Sequence, residues 1–203
     1  WFASDESGNQ KYSLDGETWL DTNLVNPLVK VVYNGTLYAA IAGGVFYSAD
    51  GITWSEASDT GSFASPPYTI TTINGYFVLF GEGGAVASGT DGDVYTDRVS
   101  QISGDVDGGG SAVAGGGVAI FAGLSADFST AQHQYTTDGV TFTSFNPPAG
   151  KVILWNPGYS NADNTWYAGT FEAGASNPGW ATSSDGITWT NEGSTTDLPF
   201  GWV

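Results

Sequence analysis

Short apolar runs, rarely longer than six residues, alternate along the chain with clusters of Gly, Asp, Asn and Ser. This pattern suits short strands joined by tight turns and gives no helical period. Two kinds of turn recur. The first is seen in "VVYNGTLYAAIA" (31–42) and "TTINGYFVLFGEG" (71–83), where Asn34 and Asn74, 40 residues apart, each precede Gly between apolar runs. Asn-Gly is a strong hairpin cue because both residues tolerate positive φ. "SAVAGGGVAIFAG" (111–123) repeats the layout with Gly115-Gly116 at the turn, and "GYSNADNTWYAGTF" (158–171) with Asp163-Asn164.

The second turn carries Asp-Gly and an aromatic. It is written "YSLDGETW" (12–19), "YSADGITW" (47–54), "YTTDGVTF" (135–142) and "TSSDGITW" (182–189), with a worn copy in "GTDGDVY" (89–95). The aspartates Asp15, Asp50, Asp91, Asp138 and Asp185 follow one another at intervals of 35, 41, 47 and 47 residues. That is the length of a four-stranded propeller blade. Each repeat then holds one hairpin of small and apolar residues and a second closed by Asp-Gly. The first lacks a leading strand before Trp1, and "LPFGWV" (198–203) follows the last as a lone apolar strand. The sequence therefore predicts one all-β domain over 1–203. It is a five-bladed β-propeller of four-stranded antiparallel blades, closed by the C-terminal strand pairing in the first blade, which would remove free edges. The competing architectures are a six-bladed ring completed by a partner chain and a fragment of a larger propeller.

Charge narrows the function. Twenty-one acids face four cations, Lys11, Lys30, Arg98 and Lys151, for a formal net charge of -17. Nucleic-acid binding needs a basic surface and is set aside; anionic membranes and strongly acidic ligands are disfavoured on the same ground. No run approaches the roughly 20 apolar residues of a membrane span. The chain has neither Cys nor Met and begins at Trp1, which suggests processing or excision from a longer protein. An extracellular or virion-surface setting is the expectation.

The motif Ser-x-Asp-Gly-x-Thr-Trp resembles the Asp-box, or BNR, repeat found in sialidases, photosystem assembly factors, secreted glycosidases and phage structural proteins. The resemblance spans nearly the whole chain and implies a propeller with each box between the third and fourth strands of a blade, away from the central cavity. It assigns a structural role to Asp15, Gly16, Trp19, Asp50, Gly51, Trp54, Asp91, Gly92, Asp138, Gly139, Phe142, Asp185, Gly186 and Trp189. Turn chemistry gives the same reading. The aspartate accepts backbone N–H bonds, Gly takes the left-handed conformation, Ser or Thr adds a local bond, and the aromatic folds over the turn.

Enzymatic readings are weaker. Sialidase chemistry, as the resemblance implies it, needs three arginines on the substrate carboxylate; Arg98 is alone. A hydrolase using paired central carboxylates is the alternative function, with Asp5, Glu6, Asp21, Glu56, Glu82, Asp105, Asp163, Glu172 and Glu192 as candidates. Glu82 and Glu172 occupy equivalent places after the second strand of their repeats. His133, the single histidine, suggests neither a zinc site nor a triad. Asp105 and Asp107 in "SGDVDGGGS" (103–111) form a weak calcium candidate; no other metal or cofactor is indicated. Asn34-Gly35-Thr36 is a formal glycosylation sequon inside a turn. Trp155 and Trp180, near Tyr159 and Trp166, are candidate contacts for a glycan or protein. The expected role is a non-catalytic structural or interaction module, such as a phage decoration or tail-associated protein or a surface-filament domain, partnered by proteins of a larger assembly or by a surface glycan.

Overall fold

The computed structural model describes residues 1–4, 9–24, 26–102, 111–124, 131–149, 151, 153–171 and 179–194. They form five antiparallel sheets, each a meander in which a strand pairs with the next. The first holds three strands, β1 (Phe2–Ser4), β2 (Gln10–Tyr12) and β3 (Leu20–Asp21). The second holds β4 (Lys30–Tyr33), β5 (Tyr38–Ile41), β6 (Val45–Ser48) and β7 (Ser55–Glu56). The third runs through β8 (Thr69–Ile73), β9 (Tyr76–Phe80), β10 (Val86–Gly89) and β11 (Thr96–Asp97). The fourth comprises β12 (Ser111–Gly115), β13 (Val118–Leu124), β14 (Ala131–Thr136) and β15 (Thr143–Ser144), and the fifth β16 (Ile153–Ser160), β17 (Thr165–Phe171), β18 (Gly179–Ser183) and β19 (Thr190–Ser194). The proposed clasp 198–203 lies outside the described residues.

Apolar runs mark strands that are buried on both faces. Along β9, Phe77 and Leu79 pack with Ala39, Ile41 and Val45 of the second sheet, while the alternate Val78 and Phe80 pack with Ala112 and Phe121 of the fourth. Along β13 the same alternation sends Ala119 and Phe121 to the third sheet and Val118, Ile120 and Ala122 to the fifth. Successive side chains of a strand point to opposite faces, so one run serves two interfaces. Successive sheets thus stack face to face, and Phe80 and Phe121 stack across one interface with centroids 4.6 Å apart.

The inner hairpins differ in detail from the Asn-Gly expectation. Between β8 and β9 the turn is the two-residue Asn74-Gly75, with φ of 49° and 82°, as a type I′ turn requires. Between β12 and β13 the turn residues are Gly116 and Gly117, because Gly115 still pairs with Val118. Between β4 and β5 Tyr33 pairs with Tyr38, so the loop spans four residues and Asn34 stays out of the positive-φ region. There the Asn34 side chain builds the turn, its Oδ1 accepting from Thr36 N (3.0 Å) and Leu37 N (2.9 Å).

Candidate functional site

Every Asp-Gly turn joins the last two strands of its sheet, and its chemistry is local. In the second sheet Asp50 Oδ1 accepts from Ile52 N and Thr53 N at 2.8 Å each and from Ser48 Oγ at 2.9 Å, while Gly51 N donates to Ser48 Oγ. The same set surrounds Asp15, Asp138 and Asp185 through Ser13, Thr136 and Ser183. The N–H groups of Thr18 and Glu17 hold the Asp15 carboxyl well below the usual range, and those of Thr141 and Val140 bring Asp138 down to about 2. In the worn copy Asp91 Oδ1 accepts from Asp93 N and Val94 N at 3.0 Å, but Gly89 stands where the other turns have Ser or Thr. A Cβ there would run into Val94 O, so the hydroxyl-bearing side chain has no room.

The aromatics after these glycines do not share one fate. Trp54, Tyr95, Phe142 and Trp189 are buried, and the indoles of Trp54 and Trp189 donate to Gly51 O (3.2 Å) and Gly186 O (3.0 Å). Trp19 does not fold over its turn: it is 38% exposed, on the sheet with three described strands.

The turns also serve as joints between sheets, which the motif alone did not reveal. Asn34 Nδ2 donates to Gly75 O (2.8 Å) and to Thr90 O (3.0 Å), and Asn74 Nδ2 donates to Thr137 O (2.6 Å). Thr90 and Thr137 directly precede Asp91 and Asp138, so an inner-hairpin Asn grips the Asp-Gly turn of the next sheet. The 40-residue spacing of Asn34 and Asn74 was the available signal. With its amide donating to both carbonyls, Asn34 is a joint between the second and third sheets. The box glycines complete these joints: a Cβ on Gly92 would lie 2.6 Å from Tyr47 Cβ, and one on Gly139 2.8 Å from Tyr76 Cβ.

Two further titratable groups cross between sheets, His133 buried and Lys30 half-buried. His133 Nε2 accepts from Leu154 N at 3.1 Å, tying β14 to β16 across the interface of the fourth and fifth sheets. Its Nδ1 is buried without a partner among the described residues, and burial pushes the imidazole down to about 4. Lys30, at the start of β4, donates from Nζ to Ala112 O on β12 at 2.5 Å. That bond joins the second and fourth sheets past the third, which requires the inner strands to curve around a common axis. Burial lowers the Lys30 ammonium to about 8. At the other end of these strands the inner-hairpin tips of three sheets line an open depression of about 390 Å³, with Tyr33, Asn34, Thr72, Asn74 and Gly117 on its walls.

The candidate carboxylates are dispersed. Asp21, Glu56 and Glu192 sit on β3, β7 and β19, the last strands of three different sheets, and Asp21 pairs with Lys11 at 2.6 Å. Glu82 accepts from Ser65 Oγ (2.8 Å), Glu192 from Thr182 Oγ1 (2.6 Å) and Asp163 from Tyr167 OH (2.6 Å). Asp5, Glu6, Asp105, Asp107 and Glu172 lie outside the described residues, so the calcium candidate and the Glu82–Glu172 pairing do too. Arg98 donates to Ser88 Oγ at 2.7 Å. Trp166 is core; Trp180 lies within β18 with its indole nitrogen buried, and the Trp155 side chain is outside the described set.

No protein-family model matches the chain, and no curated protein matches it. Solved structures do. The chain is similar to YCF48 solved with a D1 peptide (TM-score 0.61, 14% identity, 93% of this chain and 61% of that one). It is also similar to YCF48 from Cyanidioschyzon merolae (0.59, 12%, 94% and 80%) and to hydrazine synthase of Kuenenia stuttgartiensis (0.63, 8%, 95% and 62%). The chain thus spans about three fifths of the length of two of these three. Identity this low carries the fold alone: the chain is all-β and propeller-like.

Proposed function

We propose that the chain is a non-catalytic structural and interaction module of an extracellular or virion surface, for instance a decoration or tail-associated protein of a phage or a domain of a surface filament. Its architecture, in this reading, is a five-bladed Asp-box propeller closed by residues 198–203 pairing along β1. One observation carries the functional half. The most repeated chemical group of the sequence, the turn aspartate, spends its Oδ1 on its own backbone N–H groups in all five sheets, and in the third and fourth sheets the adjoining glycine and carbonyl are spent on the preceding sheet. Five repeats therefore build a rigid ring of loops rather than a reacting centre, and fold alone assigns no chemistry. That the first sheet has three strands among the described residues, none of them pairing along the outer edge of β1, supports the closure. That a fold neighbour was solved with a peptide, and another in a nidogen–laminin complex, supports use of this scaffold as an interaction surface.

A surface glycan is the second reading for the partner, favoured by exposed Tyr33 at the rim of the hairpin-tip cavity. The test is a panel of polysaccharides and aryl glycosides incubated with the full chain. Binding without release of reducing ends is the expected result. Reducing-end release that collapses in Asp163→Asn or Glu82→Gln would instead establish the hydrolase. For the closure, deleting 198–203 should lower Tm and promote self-association through the bared β1 edge; an unaltered monomer would overturn it.

A further inference from the structure

We propose that the hairpin-tip depression is a subsite for a neutral pyranose, an inference that rests on a surface glycan being the partner. The depression stands at the end of the sheets that carries the Asp-Gly turns, because Asn34 and Asn74 on its walls donate to Thr90 O and Thr137 O. Its chemistry is uncharged. Among the described residues none that lines it is acidic or basic, although the chain carries 21 acids and four cations. A carboxylate or phosphate would find no cation there, against a net charge of -17, and an ammonium would find no carboxylate. A hydroxyl-rich neutral ligand fits what remains.

A sugar ring needs a flat apolar face to lie on and hydrogen-bonding groups at its margin. Tyr33 supplies the face. It is 50% exposed, yet its hydroxyl donates to Gly35 O at 2.8 Å and its ring leans on Tyr38 with centroids 4.7 Å apart. An aromatic held in this way receives the C–H face of a pyranose with little further loss of rotamer freedom. The polar groups beside it are unspent. Asn74 commits its amide N–H to Thr137 O, while its Oδ1 has no partner among the described residues. Thr72 Oγ1 reaches Tyr33 O only at 3.5 Å, so a closer acceptor can take its hydrogen bond. Gly75 and Gly117 are the second residues of two-residue turns, and their N–H groups lie outside the strand pairing. A Cβ on either would meet no atom within 4 Å, so these turns present bare backbone that a ligand can approach. Acceptor, donors and ring thus share a depression of about 390 Å³, a volume usual for small-ligand sites.

The probes are methyl β-glucopyranoside and methyl β-galactopyranoside, titrated into the full chain at constant ionic strength and followed by amide chemical shifts, with glucuronate as the acidic counterpart. Saturable shifts at Tyr33, Thr72, Gly75 and Gly117 are expected from at least one glycoside with a Kd on the order of 10 mM, and at least about tenfold weaker binding of glucuronate. Tyr33→Phe keeps the ring and should stay within about twofold of the unaltered chain, whereas Tyr33→Ala should lose saturation. Thr72→Val should weaken binding about threefold or more, and it carries the test if Tyr33→Ala fails to fold. Linear shifts, equal affinity for glucuronate, or saturation unchanged in these variants would overturn the site. Polysaccharide captured equally by the unaltered chain and Tyr33→Ala would overturn the site alone and leave the glycan partner standing. Linear shifts together with no capture of any polysaccharide would remove both.

Discussion

"YSLDGETW" in the first sheet and "YSADGITW" in the second differ at two of eight positions, and their turns carry the same carboxylate bonds. Their tryptophans part company. Trp54 is 4% exposed, packs with Leu24, Ala40 and Ala42, and donates its indole N–H to Gly51 O; Trp19 is 38% exposed and makes no such bond. Trp1, Leu14 and Leu20 of the first sheet are exposed as well. Identical local chemistry therefore gives the same turn but not the same burial. Hydrogen bonds within a turn are decided over a few residues, whereas burial of its aromatic depends on which neighbouring strands stand beside it.

The largest test of that contrast is to truncate both tryptophans. Trp54→Ala should cost about 3–5 kcal/mol, as removal of a buried aromatic does. Trp19→Ala should cost about 2 kcal/mol less, since more than a third of the residue's surface is already in water. Urea unfolding of the two variants measures the difference. Equal losses would show that the turn, rather than its neighbours, sets the value of the aromatic.

A second comparison uses equivalent positions on the third strand of the repeat. Gln10 lies three residues before Ser13, and His133 three before Thr136; both reach toward the next sheet, Gln10 Nε2 donating to Asn26 O (2.7 Å) and His133 accepting from Leu154 N. Only the histidine titrates. Its folded pKa of about 4 lies below the ordinary 6.5, so the unfolded chain takes up the proton first. Stability should be complete above pH 6.5 and fall by about 3 kcal/mol between 6.5 and 4, then level until the turn aspartates protonate below 3.8. His133→Gln should flatten the upper window and leave the lower one in place. Thermal melts across that range decide it, and an unchanged slope in the variant would remove His133 as the cause.

Much of this contrast was legible beforehand, and the missing part has a physical reason. The Asp-Gly turns and their spacing follow from the sequence because each is a local constraint, whereas the inner turns shifted from Asn34-Gly35 to a four-residue loop and from Gly115-Gly116 to Gly116-Gly117, where strand pairing decides the register. The exposure of Trp19 was not legible, since it depends on strands distant in sequence. The grip of Asn34 and Asn74 on Thr90 and Thr137 joins residues 56 and 63 apart. Likewise, Lys30 looked like any of four scattered cations until β4 and β12 were placed around one axis. The worn turn at Asp91 read as decay, but Gly89 is required where Val94 O closes on it.

The smallest test separates the two uses of the box glycine. Gly16 and Gly139 both hold positive φ, at 82° and 79°, so a side chain at either carries the same backbone strain, about 1 kcal/mol. Their surroundings differ. A Cβ on Gly139 would stand 2.8 Å from Tyr76 Cβ on the preceding sheet, whereas on Gly16 the nearest heavy atom is Trp1 Cε2 at 4.0 Å. Gly139→Ala should therefore cost a further 1–3 kcal/mol or so from forced displacement of Tyr76, and Gly16→Ala the backbone strain alone. If the two variants unfold at the same denaturant concentration, Gly139 serves its turn and not the joint. If they separate as expected, Gly139 is selected twice, once by its own φ and once by the sheet packed against it, and Gly16 once, by its φ alone.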